Sequence, residues 1–154
     1  GCPSSPLPEE EVYLPIYAKR SDMESSLKFE PARAIKDNGK LFVWANYLFV
    51  NEPYKGIHIY DNTDPEHPVP LKFINALGNI DMAIYNGHLL MDQSVDLLRI
   101  DLSDIDNLKL VKRQREVFPI SLPPNGAEIH EDFLPENRSD DLIIVGWELF
   151  TPNT

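Results

Sequence analysis

Lys40-Leu-Phe-Val-Trp44, then Ala45-Asn46, then Tyr47-Leu-Phe-Val-Asn51 returns as Asp81-Met-Ala-Ile-Tyr85, Asn86-Gly87, His88-Leu-Leu-Met-Asp92. Both stretches read as strand, two-residue turn, strand, at a spacing of 41. Asn-Gly is the strongest short hairpin signal, because a type I′ turn needs positive φ at both central residues. The likeness continues outward. Gly56-Ile-His-Ile-Tyr-Asp61 is followed by Asn62-Thr63-Asp64-Pro65, and Asp96-Leu-Leu-Arg-Ile-Asp101 by Leu102-Ser103-Asp104-Ile105, now at a spacing of 40. Asp61 thus matches Asp101, and Asp64 matches Asp104. One residue is lost between, in the loop that reads Glu52-Pro-Tyr-Lys55 first and Gln93-Ser-Val95 later. A fourth strand closes each copy, at 69–75 and at 109 to about 118.

Each copy therefore reads as four short strands joined by short turns, the pattern of a propeller blade repeated at about 40 residues. The expected fold is all-β: two four-stranded antiparallel propeller-blade-like repeats, at about 40–75 and 81–118, forming an incomplete or open propeller. Flanking strands are expected at 12–17 and 142–149. Ser21-Asp-Met-Glu24 resembles a capping box and predicts one short N-terminal helix through Lys28. Residues 119–141 read as loop. Strand direction alternates in a meander, so the loops at 52–55, 76–79 and 93–95 are expected at one end, and the turns at 45–46, 62–65 and 86–87 at the other.

The 154 residues suit a single domain, at 11–154, behind a polar tether at 1–10. Net charge is −11, and such a surface repels phosphate backbones, so no nucleic-acid partner is expected. The basic cluster Lys109, Lys112, Arg113 and Arg115 reads as a solvated strand face. The single cysteine, Cys2, cannot form an internal disulfide. It precedes Pro3-Ser-Ser-Pro-Leu-Pro-Glu-Glu-Glu11, a flexible polar run, and reads either as a leftover thiol or as the acylated cysteine of a lipoprotein.

The runs 47–62, Gly78-Asn-Ile-Asp-Met-Ala83 and Asp101-Leu-Ser-Asp104 resemble the LVIVD-repeat proteins, a family of exported, often lipid-anchored bacterial proteins. The resemblance covers about residues 34–118. It implies a propeller-like fold and a place in the envelope of a Gram-negative bacterium, held to the membrane by lipid at Cys2. It implies no activity.

Catalytic motifs are missing: the chain has no G-x-S-x-G, no P-loop and no dinucleotide fingerprint. Four histidines, His58, His67, His88 and His130, show no paired metal-ligand spacing, and Glu128-Ile-His-Glu-Asp132 reads as a solvated polar loop. Asp101-Leu-Ser-Asp-Ile-Asp-Asn107 alternates oxygen ligands but lacks the glycine and glutamate of a calcium loop, so it reads as turn chemistry. Neither a metal nor a cofactor is expected. Tyr54 stands in a loop between charges, with no evident core to fill. With Glu52, Lys55, Asp92, Gln93 and Asp96 it makes the candidate binding surface. The expected function is a non-enzymatic binding or interaction module that takes a protein or glycan ligand. The alternative is a carbohydrate-active or other hydrolytic enzyme working through the loop carboxylates. The chain is expected as a monomer or a homodimer.

Overall fold

The computed structural model describes residues 11–152, so the expected tether at 1–10 and Cys2 lie outside the described residues. The fold is all-β, built from antiparallel sheets with one short helix. In chain order it has β1 (Tyr13–Lys19), α1 (Arg20–Ser25), β2 (Lys28–Pro31), β3 (Leu41–Trp44), β4 (Tyr47–Glu52), β5 (Gly56–Asp61) and β6 (Val69–Asn75). These are followed by β7 (Met82–Tyr85), β8 (His88–Gln93), β9 (Asp96–Asp101), β10 (Lys109–Gln114) and β11 (Leu142–Leu149).

The two copies fold as two meanders. Strands β3 to β6 run side by side in one sheet, and β7 to β10 in another. The turns follow local chemistry. Asn86 and Gly87 both take positive φ, 50° and 73°, whereas in the first copy only Ala45 does, at 50°. After each third strand the aspartate accepts a bond from the residue two positions on: Thr63 N to Asp61 Oδ1 at 2.9 Å, Ser103 N to Asp101 Oδ1 at 2.8 Å. Asp64 and Asp104 do the same for Glu66 and Asp106. The acidic run 101–107 is therefore a pair of self-bonded turns. Bonds from Thr63 hold the Asp61 carboxyl below its usual value, and bonds from Ser103 do so for Asp101.

Apolar residues at alternate positions build the core between the sheets. Phe49, Ile57, Ile59 and Ile74 of the first meander meet Leu89, Met91, Leu98 and Ile100 of the second, all essentially without solvent exposure. Each such side chain contributes about 1.5–3 kcal/mol by leaving water.

The flanks depart from the sequence reading in three places. The helix starts at Arg20, directly after β1, and has no side-chain cap. Ser21 lies inside its first turn and the capping box does not form, because Lys19 is still extended strand and Arg20 N donates to Asp141 O at 2.8 Å. The helix ends at Ser25 rather than Lys28, because Lys28–Pro31 joins the outer edge of β6, with Phe29 opposite Ile74. The first sheet thus has five strands, order β2-β6-β5-β4-β3. Finally, β10 stops at Gln114. Glu116 turns the chain with φ of 56°, and the N–H groups of Val117 and Phe118 both donate to Val95 O.

The flanking strands β1 and β11 pair with each other, Tyr13 opposite Leu149 through Lys19 opposite Leu142. They lie over the loop end of the meanders, with Ile143 and Val145 packed against Met23 and Val95.

Candidate functional site

The loops 52–55, 76–79 and 93–95 meet at one end. Tyr54 N donates to Asn79 O at 2.7 Å, Gly78 N to Tyr54 O at 3.0 Å, Ser94 N to Gly78 O at 3.1 Å and Ala76 N to Lys55 O at 2.8 Å. At the other end Asn62 N donates to Asn46 O, and Leu102 N to Gly87 O. Tyr54 and Ser94 both hold left-handed backbone, φ 67° and 54°, so they correspond, and Pro53 is the extra residue of the first loop.

Buried polar groups knit this end together. Asn79 is fully buried between the meanders. Its Oδ1 accepts from Asn51 Nδ2 at 2.7 Å, and its Nδ2 donates to Asp81 O, Asp92 O and Asp92 Oδ1. Asp92 Oδ1 also accepts from the N–H groups of Ile80 and Asp81, at 2.8 and 3.1 Å. Burial outweighs these donors and pushes the Asp92 carboxyl up to about 6.

A second knot ties α1 to the second meander. Asp96, with no exposure, accepts from Arg20 Nη1 and Nη2 at 2.8 and 3.0 Å, from Arg113 Nη1 at 2.8 Å, and from Glu116 N at 3.1 Å. Burial alone would raise this carboxyl; Arg20, the Glu116 N–H and Arg113 together hold it below its usual value. Arg113 also donates to Gln93 Oε1, and Gln93 Nε2 donates to Met23 O. Arg113 is therefore inward-facing, which corrects the reading of the basic cluster as a wholly solvated face. Arg115 reaches Glu24 on α1.

The expected surface residues are consequently mostly interior. Glu52, Gln93 and Asp96 are buried, and Glu52 Oε1 sits 2.8 Å from His58 Nε2. Tyr54 does have something to fill. Its ring lies over Gly146 of β11, so close that a Cβ there would stand 2.9 Å from the ring. Burial raises the Tyr54 phenol, and Tyr13 adds to that shift. Of the six, only Lys55 is freely exposed, on the rim of a cavity of about 310 Å³ with Arg33 and Lys36. The loop carboxylates thus work as fixed acceptors for internal donors.

An open cleft lies elsewhere, between β1, β11 and the segment 123–133. It encloses about 440 Å³ and is lined by Tyr13, Phe133 and Trp147, with Glu11, Glu128 and Asp132 contributing carboxylates. Among the described residues, no lysine or arginine lines it. The rings step across it: His130 to Phe133 at 5.9 Å, Phe133 to Trp147 at 6.3 Å. Trp147 Nε1 donates to Ser121 O at 2.9 Å, fixing the indole as the floor. One short turn, Glu131–Phe133, shapes the wall. Tyr13 Oη donates to Glu11 Oε2 at 3.3 Å, and burial followed by the Glu11 charge raises the phenol. No protein-family model matches the chain, and no curated protein or solved structure matches it. From sequence, 128–132 reads as a solvated loop. It becomes a cleft wall only because β1 and β11, distant in sequence, pair beneath it.

Proposed function

We propose that this chain is a non-enzymatic interaction module of an exported LVIVD-type envelope protein, and that it holds a cationic segment of a partner protein in the β1–β11 cleft. The observation that carries this reading is the cleft's composition. Three acidic residues and stepped aromatic rings line one open volume, Asp132 beside His130 at 3.4 Å, with no lysine or arginine among the described residues of its lining. Such a site attracts ammonium and guanidinium groups and stacks their flat or apolar parts. The bonded state of Asp92 and Asp96 favours binding over hydrolysis, since both carboxylates already serve internal donors. The repeated meanders and the runs quoted for the family support the LVIVD-type assignment, and the Cys2-Pro-Ser-Ser-Pro run supports lipid attachment. Equal incorporation of labelled fatty acid into wild type and Cys2→Ala in cells would remove the anchor from this reading.

Calorimetry with a short Lys/Arg-rich peptide tests the site. Binding is expected, and Glu128→Gln with Asp132→Asn together should weaken it at least about tenfold, equivalent to about 1.4 kcal/mol. The affinity should also fall with added salt. Equal peptide affinity in wild type and variant, or binding only to a neutral oligosaccharide, would sink the assignment.

A further inference from the structure

The repeat spacing relates faces as well as strands. In the first meander Phe42, Phe49, Ile57 and Ile59 point to one side, and Leu41, Val43, Leu48 and Val50 to the other. The spacing of 41 carries Leu41, Val43, Leu48 and Val50 onto Met82, Ile84, Leu89 and Met91. Those four residues pack against Phe49, Ile57 and Ile59 in the core. Inside the chain, then, one kind of face lies on the other kind.

This leaves part of one face of each kind exposed; on the first meander Val50, His58 and Phe73, which share the side of Leu41 and Val43, are already buried, Phe73 beneath Arg33. On the first meander Leu41 and Val43 are 65% and 60% exposed, though their equivalents Met82 and Ile84 join the core. On the second, Ala83, Leu90 and Leu97 stand where Phe42, Phe49 and Ile57 stand in the first. They line an apolar groove of about 510 Å³, edged by Phe118 and Pro119. The exposed Leu41 and Val43 and the Ala83, Leu90 and Leu97 groove correspond to parts of the two faces that meet inside the chain.

We propose that a second molecule of this chain stacks head-to-tail on the first, laying its Leu41 and Val43 face into the Ala83, Leu90 and Leu97 groove. Two molecules can satisfy both open faces at once by a two-fold arrangement that brings four meanders together, the smallest count at which radial repeats close. Arg99 stands at the position of Ile59, so the contact between molecules is more polar than the internal one. Association is therefore reversible and depends on concentration. It uses sheet faces rather than the β1–β11 cleft, so its failure and the failure of peptide binding are separately readable.

Light scattering across a concentration series tests it. The wild type should move from 17.6 kDa toward a doubled mass as concentration rises. Val43→Glu and Ala83→Glu replace exposed side chains, one on each open face, and both should keep the wild-type circular dichroism and thermal midpoint. Each alone should stay monomeric at concentrations at least tenfold above the wild-type midpoint. Mixed, they keep one intact contact, the Leu41 and Val43 face of the Ala83→Glu molecule in the groove of the Val43→Glu molecule, and should pair one to one more tightly than either variant pairs with itself. A wild type that stays at 17.6 kDa throughout, variants that still double, or a mixture that does not pair would overturn the proposal.

Discussion

Replacing Asp96 with alanine is expected to destabilise the fold by about 3–5 kcal/mol, the range found when one partner of a buried ion cluster is removed. Asp96 is unexposed and answers three donor groups at once: Arg20, Arg113 and the Glu116 N–H. Without it two guanidinium groups, with 25% and 8% side-chain exposure, keep only the more distant Glu24, at 3.9 and 3.4 Å, as a shared anion. The loss would also remove the Arg20 tie between α1 and the second meander, leaving the Gln93 bond to Met23 O and the pairing of Arg115 with Glu24. Against a typical total of about 5–15 kcal/mol, this is a large fraction. Urea titration should show a lower midpoint with an unchanged slope. Adding Arg113→Met to Asp96→Ala should recover part of the loss, because it removes a stranded charge. An alanine variant within about 1 kcal/mol of wild type would mean that the cluster contributes nothing net.

Asp92→Asn should act in the opposite direction. The folded carboxyl sits at about 6, above its ordinary 3.8, so the folded state binds this proton more tightly than the unfolded state. Stability from this group is then greatest below about pH 4 and declines as pH rises through about 6. A rise of that size corresponds to about 3 kcal/mol against the wild type at pH 7, as an order of magnitude. Asparagine keeps an Oδ1 acceptor for Ile80, Asp81 and Asn79 without the charge. The first meander already carries Asn51 at the matching position, where it bonds Asn79. The variant should therefore be more stable than wild type at pH 7, by up to about 3 kcal/mol, with the difference vanishing near pH 4. A difference independent of pH, or a less stable variant at pH 7, would contradict this account of Asp92. Asp96 has the opposite sign: its contribution is present above the unfolded carboxylate range and is lost as pH falls through its lowered folded value.

The meanders were legible in the sequence because their signals are local. Alternating apolar residues, Asn86-Gly87 and the Asp-x-Ser/Thr turns each act within a few positions, and the chain repeats them. The loop end was legible too, since strand alternation fixes which loops share a side. What escaped was set by distant partners. Lys28–Pro31 is a strand only because the edge of β6 is free to receive it. Ser21 matched a capping pattern, but strand pairing of β1 with β11 carried the chain past the cap position. The candidate site suffered most from this. Polar residues at loop positions suggested an exposed surface. Instead α1 and β11 cover most of them: Asp96 and Gln93 bond Arg20 and Met23 of α1, Tyr54 lies on Gly146, and Ser94 Oγ donates to Ile144 O at 2.7 Å. No signal short of that non-local pairing separates a buried polar knot from a binding loop.

The bonds among the loops make that end an internal lock joining both meanders into one cooperative unit, and native-state hydrogen exchange reads the strength of that lock. The amides of Tyr54, Ala76, Gly78 and Ser94 form the bonds between the loops. They should exchange only with global unfolding, at the same opening free energy as the buried strand amides of Ile59 and Ile100. Exchange of these four by local opening, at rates close to those of the exposed turn amides of Thr63 and Ser103, would contradict the claim and return the loop end to the role of a mobile surface.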